Sequence, residues 1–229
     1  MGTTIQLTAS DGHQLAAYRA DPEGTPKGGV VVIQEIFGVN SHIRAVADGY
    51  AAAGYVAIAP AMFDRLQRDV ELGYEGDDIA TGRDLAFPMG WETPVLDMGA
   101  AVTAAAGAGK VGTVGYCWGG SLSYLAACKL PVACAVGYYG GQITKILAAD
   151  PTAKPKVPTI LHFGEHDAGI PLTDDVRIEE RFTLSEDGSR LDFKMTVIDD
   201  AIFTEPVVLQ KFWLYVPGVE VKPFDCLAE

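Results

Sequence analysis

The chain has 229 residues, enough for one sizeable domain, or one with a small appendage, and short of two full ones. With 48% hydrophobic and 21% charged residues it is neither disordered nor low in complexity, and no run approaches the roughly 18 apolar residues of a membrane helix. Its 17 basic against 30 acidic residues leave a net charge of −13, a field that repels phosphates, so neither nucleic acid nor a membrane surface is expected as a partner.

The first residues hold neither the basic stretch nor the apolar core of a signal peptide, and a cytoplasmic location is expected. Four cysteines, Cys117, Cys128, Cys134 and Cys226, show no C-x-x-C pair and no metal-ligand spacing. No disulfide, no metal and no cofactor are expected.

Short apolar runs at residues 28–35, 55–60, 110–116, 133–139 and 158–165 read as strands buried on both faces. Between the first two, Ser41 reads as a helix N-cap, Ile43, Val46, Ala47 and Tyr50 recur at helical spacing, and Gly54 suits the C-terminal cap. That is one βαβ crossover. Thr93 and Pro94 read as the N-cap and first position of a second helix carrying Val95, Met98 and Val102 on one face. A third helix, residues 119–129, follows the strand at 110–116 directly. The expected fold class is α/β: a mostly parallel sheet with helices on both faces.

Beyond Asp175 the pattern changes. Leu191, Phe193, Met195 and Val197 alternate with Asp192, Lys194 and Thr196 after an Asp187-Gly188 turn, an antiparallel hairpin, and residues 206–218 read as a third strand. The expected organisation is therefore a core at residues 1–176 and an antiparallel β tail at 177–229. The tail either completes the same domain or pairs with a second copy, which makes its strands candidates for self-association.

The segment most informative about chemistry is VGTVGYCWGGS, residues 111–121, which sets Gly115, Cys117 and Gly119 between a strand and a helix. A nucleophile on so sharp a turn needs strained backbone angles, and side chains two residues before and after it would collide with the neighbouring strand and helix. Cys117 would then sit at a helix N-terminus, where amide donors, the Trp118 N–H first among them, favour a thiolate and a developing oxyanion. The alternative is a buried cysteine in a glycine-rich packing turn.

These residues, with QEIFGVN (34–40), GYVAIAPAMFDR (54–65), AVGYYGG (135–141) and ILHFGEHDAGIP (160–171), resemble the dienelactone hydrolase family of the α/β-hydrolase fold over about residues 5–175. The family comprises cysteine-dependent enzymes that open cyclic enol lactones bearing a carboxylate. The resemblance implies Cys117 as nucleophile, Asp167 as the acid that orients the catalytic histidine, and the amides of Ile36 and Trp118 as oxyanion hole. It implies Glu35 beside the resting thiol, displaced when substrate binds, and Arg83 as a holder of the substrate carboxylate. The implied partner is a small anionic lactone or ester.

One departure is plain. The four histidines are His13, His42, His162 and His166, and none follows Asp167, where the fold places the triad histidine. Two readings stay open: a lactone and ester hydrolase acting through Cys117, with His166 as the candidate surrogate base, and a catalytically impaired relative that binds small carboxylates. A redox-sensing thiol is a third, disfavoured by Glu35 nearby.

Overall fold

The structure, a computed structural model, describes residues 2–163, 176–199 and 205–214. The chain divides into two compact units, Met1–Ile170 and Pro171–Glu229.

The first unit is built on strands β1 (Thr3–Thr8), β2 (Gln14–Ala20), β3 (Gly29–Ile33), β4 (Val56–Pro60), β5 (Val111–Tyr116), β6 (Cys134–Tyr138) and β7 (Thr159–His162). They form a seven-stranded sheet in the order β1-β2-β4-β3-β5-β6-β7. Strands β4, β3, β5, β6 and β7 run parallel, while the β1–β2 hairpin joins β4 antiparallel. The near-uniform apolarity of β3 and β4 follows from burial on both faces. Val32, Ala57, Ala59 and Val114 meet Ile43, Ala47 and Ala51 of helix α1 (Ser41–Ala52) on one side. Val31, Ile33 and Ile58 point the other way, toward Met98, Ala101 and Val102 of α3 (Glu92–Ala105) and Leu122 and Leu125 of α4 (Trp118–Lys129). Successive strand residues thus serve opposite helical layers, as a period of two dictates.

Two expected helix starts are corrected. The α1 cap is Asn40, not Ser41: its side chain accepts the Ile43 N–H at 3.2 Å, and Ser41 is already helical. Helix α3 begins at Glu92, with Trp91 as N-cap, so Pro94 lies two residues inside. Thr93 instead turns its hydroxyl back to the Met89 carbonyl at 3.2 Å. The one-turn 3-10 helix Phe87–Met89 and Gly90, at φ 65°, let the chain enter α3 early.

The β1–β2 hairpin and helices α2 (Gly76–Ala86) and α5 (Ile143–Ala149) carry weaker sequence signals. Strand β1 buries only Leu7, and α2 only Gly82 and Ala86.

One ion cluster fastens α3 to the β1–β2 turn. Asp97 has a fully buried carboxylate (0% side-chain exposure) and accepts two bonds from Arg65, at 2.7 and 2.8 Å; the same guanidinium reaches Asp11 at 2.8 and 3.2 Å. Burial pushes the Asp97 carboxyl above its ordinary pKa, and Arg65 pulls against that shift.

The second unit contains β8 (Arg177–Leu184), β9 (Arg190–Ile198) and β10 (Val207–Leu214), an antiparallel three-stranded sheet in the order β10-β9-β8. Gly188 takes φ 70° in the turn, and the Asp187 carboxylate gathers Ser185 and Ser189 around it. Phe182 and Phe193 are direct partners with ring centroids 4.9 Å apart. Among the described residues the three strands of this unit pair with one another. Among the described residues no helix is long and apolar enough to cross a membrane.

Candidate active site

In an open parallel sheet, loops leaving the carboxyl ends of neighbouring strands on either side of a reversal in strand order make a crevice. Here β3 has β4 on one side and β5 on the other. Glu35 and Ile36 follow β3, Cys117 follows β5 and Tyr139 follows β6.

Cys117 has φ 54° and ψ −119°, a left-handed conformation that costs a non-glycine residue about 1–3 kcal/mol. Its surroundings hold it there. The Cys117 N–H donates to the Tyr138 carbonyl at 2.9 Å, and its own carbonyl accepts from the Gly120 and Ser121 amides at 3.0 and 3.3 Å. A Cβ on Gly115 would strike the Gly119 carbonyl, one on Gly119 the Gln34 and Ile33 carbonyls, and one on Gly120 the Tyr138 carbonyl. The glycines two before and two after the cysteine are therefore required by backbone contact. Trp118, 2% exposed and stacked on Phe63 at 5.4 Å, anchors the first turn of α4 beneath the bend.

The Gly119→Ala variant is expected to fold with markedly lowered stability, since two backbone carbonyls would have to move; overpacking of this kind costs about 1–3 kcal/mol. A urea midpoint equal to that of the unaltered chain would refute the required contact.

Cys117 is half-buried. Cys128, on the same helix, shows the contrast: it is buried, its thiol donates to the Tyr124 carbonyl at 3.2 Å, and burial pushes its pKa up to about 11.

The loop after β3 is braced from several sides. Gln34 is fully buried; its side-chain oxygen accepts the Met62 N–H at 3.1 Å, and its amide donates to the Glu35 carbonyl at 3.2 Å. Gly82 of α2 lies so close to the Ile36 carbonyl that a Cβ would collide with it, and the Leu72 N–H donates to the Phe37 carbonyl at 2.8 Å. Among the described residues no backbone carbonyl accepts from the Ile36 N–H. The Trp118 N–H opens α4, where helix amides have no partner within the helix.

The Glu35 carboxylate is half-buried and accepts from the Tyr74 hydroxyl at 3.1 Å. Tyr139 is the first residue beyond β6; burial, then the nearby charge of Glu35, holds its phenol above the ordinary pKa. Arg83 is exposed on α2, one residue after the glycine that packs on Ile36, and no carboxylate among the described residues pairs with it. Thus Glu35, Ile36, Cys117 and Trp118 line the ends of adjacent strands, and Arg83 sits on the helix that buttresses them. Asp167 and His166 lie outside the described residues.

The other histidines take separate places. His13 opens onto β2 near Asp97, and His42 sits edge-on to Tyr116 at 6.3 Å. The His162 ring lies flat on Tyr138 at 4.6 Å, ending a ladder in which Tyr116 stacks on Tyr138 at 5.2 Å. Among the described residues no group of three or more His, Cys, Asp or Glu side chains could hold a metal ion. Gln34, Tyr74 and Tyr139 were not singled out by the sequence. The one signal that could have found Gln34 is a polar residue closing an apolar run, residues 29–33.

The family model of dienelactone hydrolases matches residues 15–195, from β2 into β9. The chain belongs to the dienelactone hydrolase family. It is 35% identical to the carboxymethylenebutenolidase of Pseudomonas putida over 185 residues, covering 78% of this chain and 77% of that one. It is 28% identical over 188 residues to carboxymethylenebutenolidase 1 of Cupriavidus pinatubonensis, covering 78% and 77%. A dienelactone hydrolase-like promiscuous phosphotriesterase from metagenomic libraries shares the fold, with a TM-score of 0.55 at 20% identity, over 74% of this chain and 72% of that one. Residues 196–229 lie beyond the part of the chain that the family model matches.

Proposed function

We propose that this dienelactone hydrolase relative opens small carboxylate-bearing lactones and esters through a Cys117 thioester. The observation that carries the reading is the left-handed, half-buried cysteine at the mouth of α4, held by glycine-only contacts. The thiolate attacks the acyl carbonyl, the Ile36 and Trp118 amides receive the oxyanion, the oxygen leaving group departs, and water then hydrolyses the thioester. Arg83 offers its guanidinium to the substrate carboxylate, and Asp167 serves as the triad acid.

The want of a histidine after Asp167 narrows the substrate. General acid–base help is worth about 10²–10⁴ in rate, most where the leaving group is strongly basic. An enol or phenol oxygen leaves as a weakly basic anion and needs that help least. Enol lactones and activated aryl esters are therefore the substrates this chain turns over best.

The same want of a histidine favours a second reading, a protein that captures small carboxylates without turnover. Mixing the protein with an activated ester and quenching within the first turnover decides between them. The enzyme reading expects a burst of one leaving group per chain and an acyl mass on the peptide containing Cys117. Saturable binding with neither burst nor adduct would establish capture alone.

A further inference from the structure

We propose that the three-stranded sheet of the second unit carries a binding groove for a phosphate monoester whose organic part is a planar ring, held by Arg181, Lys194 and Phe212. The inference stands apart from the chemistry proposed at Cys117 and uses none of the residues named there.

The strand registers decide which side chains share a face. Arg181 of β8 lies opposite Lys194 of β9, and Lys194 lies opposite Gln210 of β10. Two residues along, Thr183 lies opposite Asp192, and Asp192 opposite Phe212. Because side chains alternate with a period of two, these two rows stand side by side on one face of the sheet. With Arg190 they line a groove of about 330 Å³, a volume at the small end of the range for small-molecule sites.

Charge on this face is left unbalanced at Arg181 and Lys194. The face holds two carboxylates, and each already has its cation. Glu179 pairs with Arg177 at 3.2 Å, and Asp192 accepts from Arg190 Nε and Nη2 at 2.9 and 2.6 Å. Among the described residues neither the Arg181 guanidinium nor the Lys194 ammonium makes an ion pair. Like charges directly opposite one another across an antiparallel pair, with Cβ atoms about 4.5–5.5 Å apart, repel. An anion seated between them turns that repulsion into attraction, in a chain whose net charge is otherwise −13.

The lining selects the anion. Two cations without a carboxylate match the nearly two negative charges of a phosphate monoester at neutral pH better than the single charge of a carboxylate. Arg181 offers a fork that meets two phosphate oxygens at once, and Lys194 a point charge. The Thr183 hydroxyl and the Gln210 amide add neutral donors. The organic part falls to Phe212, whose ring is 55% exposed and has the Arg190 guanidinium 4.2 Å from its centroid. Arg190 is tied in turn to Asp192, so ring, guanidinium and carboxylate brace one another beside the cation pair. A flat ligand ring stacks on this unit while its phosphate reaches Arg181 and Lys194.

The test is isothermal titration calorimetry on the full chain at low ionic strength, with phenyl phosphate and inorganic phosphate as probes. Phenyl phosphate is expected to bind about three- to tenfold more tightly than inorganic phosphate, and added salt to weaken both. Arg181→Gln and Lys194→Gln should each weaken phenyl phosphate about tenfold, and Phe212→Leu should bring it down to the level of inorganic phosphate. Each glutamine variant removes half of a like-charged pair, so its urea midpoint without phosphate should match or exceed that of the unaltered chain, and weaker binding then does not come from unfolding. Arg83→Gln separates this groove from the candidate active site, and it should bind phenyl phosphate as the unaltered chain does. Binding lost in Arg83→Gln but kept in Arg181→Gln would put the ligand at the active site and overturn the proposal. Equal affinity for the two probes, or undiminished binding in both glutamine variants, would overturn it as well.

Discussion

The Cys117→Ala variant is expected to hydrolyse an activated aryl ester at least about a thousandfold more slowly than the unaltered chain, because the proposed nucleophile is gone while the binding surface remains. The Ile36 and Trp118 amides would still polarise a bound carbonyl, so a small residual rate above that of buffer is expected, not zero. Cys117→Ser sharpens the result. Serine fits the same bend, but its hydroxyl is far less acidic than a thiol and reacts only when a base takes its proton. In a chain with no histidine after Asp167, the serine variant should be almost as slow as the alanine one. Initial rates of p-nitrophenyl acetate hydrolysis check both. An alanine variant as fast as the unaltered chain would remove the covalent route, and a serine variant retaining a large share of the rate would reveal a working base.

The second large effect is on stability. Arg65→Met is expected to cost about 3–5 kcal/mol, because it strands the Asp97 carboxylate with no side-chain exposure and no counter-charge. Arg65 is itself only 14% exposed and bridges Asp97 to Asp11, so the substitution also releases the β1–β2 turn from α3. Asp97→Asn keeps a hydrogen-bond acceptor for the guanidinium and should cost less. Changing both residues together, Arg65→Met with Asp97→Leu, should recover much of the loss, since apolar replacement of a buried pair is often close to neutral. Urea denaturation of the four proteins measures this. A single Arg65→Met variant within 1 kcal/mol of the unaltered chain, roughly the value of a surface pair, would show that the cluster is solvated in solution.

The bend at Cys117 could be read in advance because its requirements are local. The contact that forbids a side chain at Gly115 involves Gly119, four residues on in the same turn, so G-x-C-x-G carries its own steric reason. The parallel strands were equally legible, since burial on two faces leaves little but Val, Ile and Ala in β3 and β4. What escaped depends on partners distant in the chain. Tyr74 and Glu35 are 39 residues apart, and Arg65 and Asp97 are 32 apart; neither pairing leaves a periodic mark. The α1 cap was missed by one position because Asn40 and Ser41 are both good caps, and the choice falls to the Asn40 amide, which also donates to the Leu72 carbonyl at 3.2 Å. A long-range bond thus decided a local question.

The construction of the bend at residue 117 separates two kinds of evolutionary freedom. The crowding at Gly115, Gly119 and Gly120 is with main-chain atoms. A change of side chain at 117 therefore leaves these glycine contacts untouched, whereas a Cβ at any of the three glycines disturbs the bend itself. A lineage that keeps those three glycines can change its reactions one residue at a time.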